Sequence, residues 1–363
     1  MPELYIGLMS GTSLDGVDAA LADLAGARPR LLADAHVAFE PVLRRELLAL
    51  NSPADNEIER GALAGNALAR CYAAAIAALL ERSGTPASAI RAAGCHGQTV
   101  RHRPERGYTT QIGNAALLAE LAGMRVIADF RSRDVAAGGQ GAPLVPAFHA
   151  AVFGDAGEDR AVLNLGGIAN LSWLPRAGTV SGFDTGPANC LLDLWIERSL
   201  GKTHDEGGAW ASGGKPLGEL LARMIEEPYF GQAPPKSTGR DLFNEAWLRA
   251  KLKGAEEPRA VQATLLELTA RTVADALSAR CHGIRRLIAC GGGVGNRALM
   301  ERLKSLIAPV RLESSAEHGI DPRLVEATAF AWLAKQALDG SPASLPSVTG
   351  ARGPRVLGAI YPA

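Results

Sequence analysis

The feature that most restricts how this chain can fold is an order of elements that occurs once in each half. Leu4-Tyr5-Ile6-Gly7-Leu8-Met9 reads as a buried strand that breaks at Ser10-Gly11-Thr12-Ser13 and Asp15-Gly16, and a second strand follows over Val17 to Leu24. The Ala- and Leu-rich run Glu59 to Ser83 then predicts a long helix, closed by Gly84, that feeds a short strand at Ile90 to Gly94. The second half repeats this. Ala161 to Leu165 is a strand, Gly166-Gly167 breaks it and Ile168 to Leu174 resumes it. A helix over Ala260 to Ala279 leads into the strand Leu287 to Cys290 and the turn Gly291 to Gly295. The two hairpin turns stand about 155 positions apart, which predicts two related α/β domains, 1–150 and 151–363, with a cleft between their turns. The boundary is approximate, and the C-terminal segment is free to pack back on the first domain.

Composition narrows the partners. The 363 residues are 47% hydrophobic and 21% charged, and 38 basic side chains balance 38 acidic ones, so nothing global attracts nucleic acid or an anionic membrane. Arg101-His102-Arg103 is a local basic cluster, which reads as an anion site or a solvated turn. The five cysteines, Cys71, Cys95, Cys190, Cys281 and Cys290, form no C-x-x-C pair, and their odd number argues against a disulfide framework. No leader pattern opens the chain, and the strongly apolar stretch from Tyr72 to Leu80 falls short of the ~20 residues that span a bilayer. A cytoplasmic enzyme is therefore expected. Gly207 to Lys215 and Gly231 to Arg240 read as mobile or lid-forming loops.

The glycine turns could hold phosphate, because glycine permits both a tight turn and close approach of main-chain N–H donors. At the first turn, hydroxyls of Ser10, Thr12 and Ser13 could add donors and Asp15 could orient a metal-bound water; a plain hairpin would also favour these residues. The sequence lacks the Gly-Lys-Ser/Thr of a Walker loop. Asn164 to Asn170 could close on the same phosphates, while Gly291 to Asn296 suits a base or ribose pocket, with Asn296 as the cap of the following helix. Its spacing departs from G-x-G-x-x-G and it comes late in the chain, which disfavours a dinucleotide-binding dehydrogenase. In Gly182-Phe183-Asp184-Thr185-Gly186-Pro187, Pro187 is expected in the first turn of a helix running to Leu200. That leaves Asp184 in a strand-to-helix turn, clear of the cap, as a general base. Asp129, Arg131 and Asp134 follow a strand, where open sheets bind ligands, and Glu326 shares a helix side with Phe330 and Leu333.

Together these stretches resemble the 1,6-anhydro-N-acetylmuramic acid kinases. The matching segments are Gly7 to Asp18, Gly94 to Thr99, Ile127 to Arg131, Gly138 to Pro146, Asn164 to Asn170, Gly182 to Pro187 and Cys290 to Asn296, so the likeness covers nearly the whole chain. It implies the actin-like fold, two RNase-H-like domains with an interdomain cleft for ATP and substrate. It implies ATP-dependent phosphorylation with hydrolytic opening of the anhydro ring, in bacterial cell-wall amino-sugar recycling. By resemblance Asp184 activates the water. Gly11, Thr12, Ser13, Leu14, Asp15, Gly16, Val17 and Asp18 would bind ATP, with Gly166, Gly167, Gly292, Gly293 and Asn296, and Mg²⁺ is implied without identified ligands. His96, Gln98, Asp129, Arg131 and Glu326 would shape the sugar pocket. The expected partners are this small-molecule sugar and, as a homodimer, a second copy of the chain. An actin-like ATPase without a sugar substrate, for assembly or chaperone work, is the alternative.

Overall fold

Apolar residues at every position of Leu4 to Met9 commit that segment to a strand covered on both faces. The computed structural model describes residues 1–11 and 14–363, so Thr12 and Ser13, both expected to bind phosphate, lie outside the described residues. In chain order the strands are β1 (Leu4–Met9), β2 (Gly16–Asp23), β3 (Arg30–Ala38), β4 (Ile90–Cys95), β5 (Gln98–Arg103), β6 (Tyr108–Ile112) and β7 (Val126–Ala128). Then come β8 (Arg160–Leu165), β9 (Ile168–Leu174), β10 (Ser181–Pro187), β11 (Arg286–Cys290), β12 (Arg311–Ser314) and β13 (Ala359–Tyr361). The principal helices are α1 (Glu57–Ser83), α2 (Ala115–Ala122), α3 (Asn189–Leu200), α4 (Pro258–Arg280), α5 (Arg297–Ile307) and α6 (Val325–Leu338). The chain divides into two units, residues 1–152 with 324–363, and residues 153–323.

In the first unit the sheet order is β13-β7-β4-β1-β2-β3. β1 to β3 form an antiparallel meander, β4 and β7 run parallel to β1, and β13 closes the β7 edge antiparallel. Side chains of β1 alternate. Ile6 and Leu8 belong to the core that α1 covers with Leu68, Tyr72, Ile76 and Leu79, whereas Tyr5 and Met9 join Phe330, Ala331 and Ala334 of α6. Gly7 and Gly94 let α6 lie directly on the sheet. A Cβ at Gly7 would stand 1.7 Å from the Ala327 carbonyl oxygen, and one at Gly94 would stand 2.1 Å from that of Phe330. Gly7, read as part of a phosphate cradle, is thus explained by helix packing.

The second unit has the order β10-β9-β8-β11-β12, with β8 to β10 antiparallel and β11 and β12 parallel to β8. This is the arrangement β3-β2-β1-β4-β7 over again. The RNase-H-like sheet of the actin-like fold is present twice, once per unit. α4 is buried almost all round between Ala260 and Ala270, as befits a helix walled in by its neighbours. Its one buried acid, Glu267, is paired with Arg271 and with Arg302 of α5 at 2.6 and 2.7 Å.

Three expectations change. By length and composition α1 does reach the span of a bilayer, since its alanines extend the apolar window beyond Tyr72 to Leu80; 44% of that window is buried, and its apolar side lines the first core. Gly207 to Lys215 is fastened rather than lid-like. Asp205 accepts N–H bonds from Trp210 and Ala211 at 2.8 Å, and Arg259 donates to the Trp210 carbonyl at 2.8 Å. Finally, Arg101 is no open anion site, because its guanidinium bonds both oxygens of Glu57 at 3.1 and 3.0 Å.

Candidate active site

The first hairpin turn is shaped by its surroundings as much as by any ligand. Ser10 Oγ donates to the Gly97 carbonyl at 3.0 Å, so in its 2.7 Å contact with Tyr72 the tyrosine is the donor. Its hydroxyl is spent inside the protein and does not add a phosphate donor. Leu14 buries its side chain in the core with φ at +56°, a conformation a leucine adopts only under constraint. Leu14 and Val17, both buried, can offer a ligand only their main chain. Asp15 is exposed, and its carbonyl accepts from Phe39 N at 3.0 Å. Gly16 is required by the sheet, since a Cβ there would meet Val37 O at 2.4 Å. Asp18 faces its cross-strand partner His36, with 2.8 Å between Oδ1 and Nδ1.

Gln98 ties this turn to the next segment by donating Nε2 to Gly11 O at 3.3 Å. His96 and Arg131 are in contact, with Arg131 Nε donating to His96 Nε2 at 3.1 Å and Nη1 to Gly141 O at 2.7 Å. Burial, and then the neighbouring guanidinium, push His96 down to about 3, so the ring is neutral and accepts from Arg131. The His96 ring lies 4.8 Å from Phe330, one turn along α6 from Glu326. Asp134 is wholly buried and organises the next loop, accepting from Gly141 N and Thr349 Oγ1, each at 2.8 Å.

His96 and Asp129 line one cavity of about 250 Å³ at the carboxyl ends of β4 and β7. Thr110, Gln111 and Asn114 give it further polar wall, and Tyr361 of β13 completes the lining. Asp129 sits there at φ +56° and accepts from Ser132 N at 3.3 Å. The contributions of the β5–β6 hairpin and of Tyr361 escape sequence reading, since no motif marks them.

In the second unit Gly166 and Gly167 carry out a capping task. Their carbonyls accept from Asn189 N at 3.1 Å and from Ala188 N and Cys190 N at 3.0 Å, which occupies the start of α3. Gly291 and Gly293 lie against the end of β8: a Cβ on Gly291 would stand 2.4 Å from Asn164 Oδ1, and one on Gly293 would stand 2.7 Å from Leu165 Cβ. Gly292 is exposed with open space above it. Asn296 caps α5, its Oδ1 accepting from Leu299 N at 3.0 Å.

Asp184 corrects the sequence reading. It lies within β10, which runs on through Pro187, and α3 begins only at Asn189. Asp184 pairs with Asn170 and Gly186 with Ala169, so Thr185 is a bulge that re-aims the chain beside the carboxylate. Nor does it stand clear. Its Oδ2 accepts from Thr238 N at 2.9 Å, its carbonyl accepts from Tyr229 Oη at 2.8 Å, and its N–H reaches Lys236 O at 3.3 Å. Burial, then the Asp184 charge, hold the Tyr229 hydroxyl well above its usual range, so it remains a donor. Lys236 Nζ bonds the carbonyls of Tyr229 and Phe230 at 3.1 and 3.3 Å. The stretch Gly231 to Arg240, expected to be a mobile lid, is therefore strapped to the strand that carries Asp184.

A family model described as anhydro-N-acetylmuramic acid kinase matches residues 3–363. The chain belongs to that family. A family member from Variovorax paradoxus is 56% identical over 372 residues, spanning 99% of both chains. Another from Thiobacillus denitrificans is 54% identical over 365 residues, spanning 99% of this chain and 98% of its own. A third, from Bordetella pertussis, is 56% identical over 366 residues, 99% of this chain and 96% of its own. Solved structures are more distant: component A of the Acidaminococcus fermentans (R)-2-hydroxyglutaryl-CoA dehydratase is 12% identical over 91% of this chain and 96% of its own, at a TM-score of 0.49.

Proposed function

We propose that the chain phosphorylates 1,6-anhydro-N-acetylmuramic acid with ATP, giving N-acetylmuramic acid 6-phosphate and ADP. The full-length family match over residues 3–363 carries this reading. Water attacks C1 and loses a proton to Asp184. The C1–O6 bond breaks with its electron pair on O6, O6 bonds to the γ-phosphorus, and the bond from that phosphorus to ADP breaks. Most of the work is positioning, as in other phosphoryl transfers. Asp184 suits the base because a strand bulge aims it and Thr238 N–H fixes one carboxylate oxygen.

ATP phosphates would meet Gly11, Thr12, Ser13, Leu14, Asp15, Gly16, Val17 and Asp18, with Gly166 and Gly167; Gly292, Gly293 and Asn296 would take the nucleoside end. His96, Gln98, Asp129, Arg131 and Glu326 would hold the sugar, a role supported for His96 and Asp129 by their shared cavity. Mg²⁺ would neutralise phosphate charge. It typically needs only one or two protein carboxylates beside the phosphates, and the exposed Asp15 in the turn fits that demand. The setting would be the bacterial cytoplasm, in recycling of cell-wall amino sugars.

The decisive measurement is ADP release with and without the anhydro sugar. Release should depend on the sugar, and the product should have gained one phosphoryl group and one water. Equal release in both conditions would favour an ATPase with another role and defeat the proposal.

A further inference from the structure

The strap over Asp184 contains two polar atoms that its hydrogen-bonding does not explain. Thr238 Oγ1 and, two residues on, Arg240 Nε are buried without a hydrogen-bond partner among the described residues. Buried hydroxyls are almost always bonded, and an orphan next to a functional carboxylate needs a reason. Thr238 is also the residue whose N–H fixes Asp184 Oδ2, so its hydroxyl sits a few bonds from the proposed base. The strap is anchored independently of that hydroxyl. Tyr229 Oη, Lys236 Nζ and Lys236 O hold it, and Phe230 packs against Gly186, where a Cβ would come within 2.6 Å of the ring.

We propose that Thr238 is a further residue of the ring-opening step, with its hydroxyl bonding an oxygen of the bound sugar or of the attacking water beside Asp184. The inference rests on the assignment of Asp184 as base. The hydroxyl donates or accepts one hydrogen bond and takes no part in bond making. It aligns the water with C1 while Asp184 removes the proton.

The test compares T238V, T238S and D184N in the full-length enzyme with ATP, Mg²⁺ and the anhydro sugar. T238V keeps size, branching and N–H, so its thermal midpoint should stay within a few degrees of the parent. Its kcat should fall about 10- to 100-fold with KM for ATP nearly unchanged, and T238S should recover to within about threefold of the parent, as expected for loss and return of one positioned hydrogen bond. If T238S is as slow as T238V, returning the hydroxyl does not return activity, the side chain acts through its packing, and the proposal is wrong. If T238V turns over at the parental rate while D184N is inactive, Thr238 alone is dismissed. If D184N turns over normally, the base assignment fails and takes this proposal with it.

Discussion

Asp184 illustrates how far a residue's chemistry is set by its neighbours. In the proposed role of general base it would contribute about 10²- to 10⁴-fold, so D184N is expected to retain sugar and ATP binding while kcat drops by roughly a thousandfold. Steady-state kinetics with a binding measurement separate the two effects. The buried histidines make a second residue-scale prediction. His96 and His149 are both pushed down to about 3, mainly by burial, against an ordinary value of 6.5. Between those limits the unfolded chain binds protons that the folded chain refuses. Stability is therefore full above pH 6.5 and falls as pH drops towards 3, by up to about 1.4 kcal/mol per pH unit for each histidine. Urea unfolding at pH 7 and pH 5 would reveal the slope, and its persistence undiminished in H149L would clear His149. Of the site, the cap at Asn296 was legible because capping is local chemistry, spelled within four residues. Thr238 was not, since its bond to Asp184 spans 54 positions and no motif announces it.

Among elements, the legible ones were those with continuous apolar runs: β1, β8, β11 and the long helices α1 and α4. β3 and β10 were missed for opposite reasons. β3 is an edge strand of mostly exposed or half-exposed residues, and its alternating face of Leu31, Ala33, Ala35 and Val37 is short and small-chained, a faint signal beside the continuous apolar run of β1. β10 carries Gly182, Gly186 and Pro187, which imitate a turn although pairing with β9 keeps them in the strand. Gly94 offers the sharpest test at this scale. Gly94→Ala drives a methyl into the α6 backbone at Phe330, and overpacking of this kind should cost about 2–3 kcal/mol. A denaturation series would show it, and a loss under about 0.5 kcal/mol would mean that α6 shifts at little cost.

At the scale of the whole molecule, the doubled β3-β2-β1-β4-β7 order explains why the two halves read alike without sharing residues: sheet topology repeats while side chains diverge. The halves differ in continuity. The second unit is one stretch, 153–323, whereas the first is completed by α6 and β13 from the far end of the chain. A chain stopped after Arg323 should keep a cooperative transition from its second unit and lose that of the first. Calorimetry of the truncated and full chains would distinguish one surviving transition from two. The same split imposes a delay at birth. Residues 153–323 are 171 residues, which a ribosome adding ~5–20 residues per second needs roughly 10–30 s to make. For that interval the alternate face of β1, with Tyr5 and Met9, has been synthesised but the helix that covers it has not. The nascent first half is thus a sticky surface with a waiting time, and a natural client for chaperones until the last forty residues, 324–363, arrive.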